Sequence, residues 1–247
     1  MSVSLSVCLS VLPALECRLV PGSLKQLDVG NGQVFGVNSN NQIYTLYSTG
    51  WIQVPGSLKH VSVGPAGVWG VDSNNYIYKL GGGDWVIVPG LLKQVDAGGM
   101  ISPAGVNMYD DIYCLTGGQG SSWINIPGKL KYYSCGPYSC WGVNAVDNIY
   151  IMKSALFQGV TPTSCAGSLN WQQIPGALSM IEVSTDGKVI GVNSNGDIYQ
   201  RDGVSPRNPA GTGWHQVPSP QKVKHVSYDL GHLWLIGRDD RIMDCTE

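Results

Sequence analysis

The chain has 247 residues and a formal net charge of −2, with 13% of its residues charged. No concentrated basic face is available to displace the counterions of a nucleic acid, and no apolar run reaches the ~18 residues that cross a bilayer. A nucleic-acid partner and membrane insertion are therefore not expected, and 33 Gly and 14 Pro among many Val, Ile and Tyr favour short strands and tight turns over helices.

Residues 1–16 come first. They are apolar and small from Val3 to Leu15, as in the core of a secretory signal peptide, although no Lys or Arg precedes them. The competing reading is a buried first strand. Removing the leader removes Cys8 and leaves Cys17, Cys114, Cys135, Cys140, Cys165 and Cys245, an even number that suits three disulfides and a secreted, extracellular protein.

From residue 17 to 247 a single domain is expected, because one motif returns along it. CRLVPGSLKQLDVGNGQVFGVNSNNQIYTL opens at Cys17, and WIQVPGSLKHVSVGPAGVWGVDSNNYIYKL follows at Trp51. Further copies begin at Trp85, Trp123 and Trp171, and the sixth, at Trp214, has drifted most. Their anchors Pro21, Pro55, Pro89, Pro127, Pro175 and Pro218 are spaced by 34, 34, 38, 48 and 43 residues. A period of ~34 also suits paired helices. Within each copy, however, apolar residues alternate in twos, as in Leu58-Lys59-His60-Val61-Ser62-Val63, and Gly and Pro punctuate about every ten residues.

Each copy reads as four strands; in the second they are Leu58–Gly64, Val68–Asp72, Ile77–Leu80 and Trp85–Pro89. The first is apolar and suits the axis, and the last ends at a Pro that cannot donate to a ladder and suits an outer edge. The expected fold is all-β: a six-bladed β-propeller of four-stranded antiparallel blades. The sixth blade lacks a downstream outer strand, so Cys17–Pro21 is expected to supply it, which places Cys17 beside Cys245 as a ring-closing disulfide. Cys135 and Cys140 flank a turn and form a second pair; Cys114–Cys165 follows by elimination.

Enzyme chemistry finds little support. His60, His215, His225 and His232 lack metal-ligand spacing, and no repeated carboxylate cluster could supply calcium, so neither a metal nor any other cofactor is expected. A hydrolase in the central channel would need an acid–base pair on the innermost strands, and none is evident. Repeated polar positions carry more information. The second strand ends at Asn38, Asp72, Asn107, Asn144 and Asn193, with Gly237 in the sixth copy; the third carries Tyr44, Tyr78, Tyr113, Tyr150 and Tyr199, with Met243 in the sixth. The outer-strand aromatics are Trp51, Trp85, Trp123, Trp171 and Trp214, with Cys17 in the sixth.

Two readings compete: hairpin-forming Asn with packed aromatics, or five equivalent ligand sites, since Asn donates and accepts while an aromatic face takes the C–H side of a sugar. A two-residue Asn40-Asn41 turn would pair Asn38 with Ile43 and set Asn38 and Tyr44 on opposite sheet faces. A site using both would then straddle adjacent blades, so ligands are expected in interblade clefts.

The copies W-x-x-[VI]-P-G-x-L-K-x-[VI]-S-V-G and W-G-V-[ND]-x-x-x-x-I-Y resemble the tectonin repeat over residues 17–245, and most resemble the fish-egg and tachylectin-1-like lectin groups. The resemblance implies a secreted, disulfide-bonded propeller recognising glycans that contain N-acetylglucosamine, or bacterial lipopolysaccharide and other surface polysaccharide, in innate defence of the egg. Pro218-Ser219 and Leu235 depart from the pattern and set blade six apart. The resulting expectation is a non-catalytic, multivalent lectin, with a second copy of the chain as a further candidate partner; the alternative is a propeller scaffold that binds protein partners.

Overall fold

A computed structural model describes residues 15–99, 102–116, 121–153 and 170–246. In chain order the strands are β1 (Glu16–Ser23), β2 (Gln26–Gly30), β3 (Gln33–Val37), β4 (Ile43–Tyr47), β5 (Gly50–Val54), β6 (His60–Gly64), β7 (Gly67–Val71), β8 (Tyr76–Gly81), β9 (Asp84–Leu91), β10 (Gln94–Asp96), β11 (Ala104–Val106) and β12 (Asp111–Leu115). They continue as β13 (Trp123–Lys129), β14 (Tyr132–Cys135), β15 (Cys140–Val143), β16 (Asn148–Lys153), β17 (Asn170–Ala177), β18 (Met180–Val183), β19 (Val189–Val192), β20 (Ile198–Asp202), β21 (Gly213–Val217), β22 (Val223–Asp229), β23 (His232–Gly237) and β24 (Arg241–Thr246). No helix occurs among the described residues.

These strands form six four-stranded antiparallel sheets, β2–β5, β6–β9, β10–β13, β14–β17 and β18–β21 for blades one to five, and β22-β23-β24-β1 for blade six. The innermost strands touch in a closed circle, β2 to β6, β10, β14, β18, β22 and back to β2. The chain is a six-bladed β-propeller.

Closure follows the expected route. β1 pairs antiparallel with β24, Cys17 opposite Cys245, and the two cysteines are bonded. Cys135 and Cys140 are also paired. Cys114 is disulfide-bonded, while its expected partner Cys165 lies outside the described residues, as does most of the leader.

The apolar core lies between blades. Leu24, Leu27 and Val29 of blade one, for example, pack against Trp234, Ile236 and Ile242 of blade six. The glycine of W-G-V makes room for the leucine that precedes each inner strand: a Cβ on Gly70 would lie 2.4 Å from Leu58 Cδ1. Blade six swaps both members, with Leu235 for the glycine and Val223 for the leucine, and both are buried in one cluster. Its departure there is a compensated packing change.

Candidate functional site: interblade clefts

The polar and aromatic repeat positions meet where one blade faces the next. Asn38, Tyr44 and Trp51 of blade one line a cleft of about 280 Å³ against Gly22, Ser23, Leu24 and Ile242. Asn144, Tyr150 and Trp171 line one of about 310 Å³ with Gly128, Lys129 and Leu130. Asn193, Tyr199 and Trp214 line one of about 320 Å³ with Ile149, Gly176, Ala177 and Leu178. At the other two junctions Trp85 lies against Gly56 and Ile43, and Trp123 against Gly90 and Ile77. Asp72 with Tyr78, and Asn107 with Tyr113, occupy the matching register positions.

Asn38 and Tyr44 share one sheet face, which corrects the expectation that they point to opposite sides. Val37 pairs with Ile43 and Gly36 with Tyr44, and Asn38 donates its backbone N–H to the Gln42 carbonyl at 3.0 Å. The hairpin loop therefore has three residues, not two. Its third residue is left-handed, with φ 63° at Asn41, 70° at Asn75, 64° at Asp110 and 66° at Asp147, as a type I turn followed by a bulge requires. A single extra loop residue moves every partner by one and brings Asn and Tyr together. The cleft remains interblade, but its polar and aromatic groups come from one blade.

The repeated Asn and Asp act as hairpin formers. The side-chain oxygen of Asn38 accepts from the backbone N–H of Asn40 and Gln42, at 3.0 and 2.9 Å. That of Asp72 accepts from Asn74 and Tyr76, both at 2.9 Å, and that of Asn144 from Val146 and Asn148, at 3.1 and 2.9 Å. This oxygen is a turn former. The other end differs between blades: the amide nitrogens of Asn38, Asn107 and Asn193 donate to Gln42, Asp111 and Asp197 at 2.8, 3.3 and 3.4 Å, whereas the Asn144 amide nitrogen has no partner among the described residues and the second Asp72 oxygen meets the Tyr78 hydroxyl at 3.4 Å. Burial, and after it the Asp72 carboxylate, hold the Tyr78 phenol above its usual pKa.

The tryptophans explain the persistence of Pro-Gly. Each donates its indole N–H to the proline carbonyl of the preceding blade: Trp51 to Pro21 at 2.8 Å, Trp85 to Pro55 at 3.0 Å, Trp123 to Pro89 at 2.8 Å, Trp171 to Pro127 at 2.7 Å and Trp214 to Pro175 at 3.0 Å. The glycine after that proline lies beneath the indole edge; a Cβ on Gly56 would sit 2.9 Å from Trp85 Cδ1, and its φ of 115° suits only glycine. Pro218 is followed by Ser219 at the one junction whose outer strand offers Cys17 in place of Trp. Five junctions have the bridge and the fifth-to-sixth does not.

The axis holds a second constellation, of buried acids on the innermost strands, that sequence inspection did not single out. Asp28, Asp96 and Glu182 stand on the inner strands of blades one, three and five, and Ser62, Ser134 and Ser227 hold the same position in blades two, four and six, all buried. Asp28 accepts from the N–H of Val29 at 3.0 Å and of Val63 at 2.7 Å, and from the hydroxyls of Ser62 and Ser227, both at 2.8 Å. Asp96 accepts from Gly98 and Cys135 N–H at 3.1 and 3.0 Å. One layer along, His60, Tyr132 and His225 of blades two, four and six meet edge to face, with ring centres 5.9 and 6.3 Å apart. Rings plug the axis and the acids tie its inner strands; the signal was an alternation between blades.

The comparisons agree with this architecture. The Tectonin domain model matches residues 23–238. The fish-egg lectin of Cyprinus carpio is 57% identical over 239 residues, 94% of this chain and 98% of that protein. Among solved structures, a gluconolactonase from Xanthomonas campestris superposes with a TM-score of 0.68 at 8% identity, over 94% of this chain and 89% of that one. Virginiamycin B lyase from Staphylococcus aureus gives 0.59 at 16%, over 90% and 79%. At such identities these two likenesses concern the fold alone. The Pro-Gly/Trp bridges, the matched repeats and the lectin relative together place the chain in the tectonin domain family, as a tectonin-repeat lectin.

Proposed function

We propose that this lectin is secreted after loss of a leader within residues 1–16, and that it takes N-acetylglucosamine-type residues of surface glycans, bacterial lipopolysaccharide included, in its five bridged clefts. The observation that supports the reading is one kind of cleft, lined by Trp, Tyr and Asn, at three junctions that bear a Trp–Pro bridge, with Trp, Tyr and Asp or Asn in the same register at the other two. A cleft of about 300 Å³ is at the small end of ligand sites and suits one sugar ring. The Trp and Tyr faces take the apolar C–H side of the ring, and the outward end of Asn or Asp meets a hydroxyl or acetamido group. Each site is weak by itself; five on one rigid ring gain avidity on a glycan-coated surface without new contacts.

Calorimetric titration of the mature protein with N-acetylglucosamine tests this, alongside a glycan array. Asn144→Ala should weaken the sugar at its own cleft by about tenfold, the worth of one buried hydrogen bond, and leave the other sites intact in a crystal soak. Unchanged occupancy of that cleft would return Asn144 to turn formation alone. An array silent towards every amino sugar, with the fold intact, would favour a scaffold for protein partners.

A further inference from the structure

Blade six departs from the repeat in a second place, at the opposite end of its strands from the interblade clefts. There β1 begins, β24 ends and β23 begins, so that Glu16, Thr246 and His232 lie side by side in register. With Cys17, Arg18 and Asp244 they line a cleft of about 410 Å³. Asp244 is 2% exposed. Arg18 donates to its Oδ2 through Nη2 at 2.8 Å and Nε at 3.2 Å, and His232 Nδ1 sits 2.8 Å from its Oδ1. One buried carboxylate thus aims two basic side chains from neighbouring strands.

No other blade has this set. The residue after the outer-strand aromatic, Arg18 here, is Ile52, Val86, Ile124, Gln172 or His215 elsewhere. The residue after the third-strand tyrosine position, Asp244 here, is Thr45, Lys79, Cys114, Ile151 or Gln200. One partner suffices to neutralise a buried carboxylate, so the second, His232, exceeds what ring closure requires. The guanidinium side chain is 75% exposed and the imidazole 43%, and among the described residues both keep unspent nitrogen groups: Nη1 and one N–H of Nη2 on Arg18, and Nε2 on His232. A fork fixed by its inner edge presents the outer edge in a set orientation, suited to the paired oxygens of a carboxylate or phosphate.

We propose that this cleft is a second binding site, for a sugar bearing a carboxylate or phosphate, whose oxyanion lies on the outer edge of Arg18 while a neighbouring hydroxyl meets His232 Nε2. Nε2 of His232 can donate a hydrogen bond to a hydroxyl oxygen or accept one from its O–H. Glu16 and Thr246 take further hydroxyls at the rim; the Glu16 carboxylate, exposed to solvent and screened, disfavours a ligand with a second anion on that side. The site extends the lectin reading to acidic sugars but uses none of the cleft residues on which that reading depends.

Titration of the full chain with glucuronate, glucose 1-phosphate and glucose tests the proposal, followed by calorimetry and by NMR of the His232 ring. One glucuronate or glucose 1-phosphate should bind per chain, about tenfold tighter than glucose, as expected where a polar site meets the group it was built for. His232→Ala should weaken both anions by about fivefold or more, and Arg18→Gln should abolish the preference; His232→Ala is the safer variant, because it leaves Asp244 paired. Anionic and neutral sugars binding alike, or anion binding that survives both variants, would overturn it. Asn144→Ala should leave glucuronate binding unchanged, so a failure of the interblade clefts would be seen apart from a failure of this one.

Discussion

Ser134 shows how the axial ring handles its protons. Its hydroxyl lies 3.1 Å from Asp96 and 2.9 Å from Glu182, and accepts the Val183 N–H at 3.0 Å. A hydroxyl has one hydrogen, so it cannot donate to both carboxylates, and one of them must carry a proton and donate to Ser134. Burial, then the Asp28 charge, push Asp96 up to about 8 and Glu182 well above its usual range. Burial raises Asp28 as well, but four donors surround it and favour its ionised form. Folded carboxyls with raised pKa bind protons that the unfolded chain has released, so their stabilisation is lost as pH climbs from about 4 towards 8. His60 and His225, pushed by burial down to about 3 and about 4, act oppositely below about pH 6.5, where the unfolded chain protonates them. Melting temperature should therefore rise as pH falls from 8.5 to 6.5 and level off below that. Asp96→Asn reproduces the protonated acid, since its oxygen can keep Gly98 and Cys135 N–H while its amide donates to Ser134. It should hold wild-type stability to within about 1 kcal/mol at pH 8 and flatten the slope, whereas Asp96→Ala strands buried donors and costs about 2–3 kcal/mol. An Asp96→Asn protein with an unchanged slope would exclude Asp96 as the carrier and leave the proton on Glu182.

At the scale of the strand, each junction depends on a residue of one blade fitting a gap in another. Gly56→Ala puts a Cβ 2.9 Å from Trp85 Cδ1 and forces alanine to φ 115°, which should cost about 1–3 kcal/mol in the denaturant midpoint. It should also tilt Trp85 and weaken sugar binding at that junction alone; a neutral effect on both would show that the indole needs no such floor. Pro-Gly and Trp were legible in the sequence because they recur in copy after copy, and the number of blades and the donated outer strand were legible for the same reason. The hairpin register was not. Asn38-Ser39-Asn40-Asn41-Gln42 accommodates a two- or a three-residue loop, and only the left-handed φ at Asn41 with its pairing selects the longer one. The acids of the axis were hidden by their period: Asp28, Asp96 and Glu182 stand in alternate blades, so comparison of neighbouring copies reads each as an isolated variant. The Arg18–Asp244–His232 set joins the two ends of the chain, and no repeat points to it.

For the whole molecule the decisive contact is the seam, because a propeller whose ends part loses the rigidity that multivalent binding uses. The Cys17–Cys245 bond spans 228 residues and Cys135–Cys140 spans 5. If disulfides act by restricting the unfolded chain, loop length sets their worth, about 5 kcal/mol for the seam against about 2 kcal/mol for the short loop. The seam has other support in the β1–β24 ladder and the Arg18–Asp244 ion pair, so the ring should stay folded when the bond is absent. A Cys17→Ser/Cys245→Ser protein should lose roughly two to three times as much stability as Cys135→Ser/Cys140→Ser. Its amide exchange should rise first along β1 and β24, and then in blades one and five, which the open ends adjoin. Binding to a single sugar should change little away from the seam, while binding to a dense glycan surface should fall, because clefts on a ring that breathes no longer hold fixed spacings. Equal losses from the two double variants, or exchange that rises first in blade three, would mean that closure is secured elsewhere than at the seam.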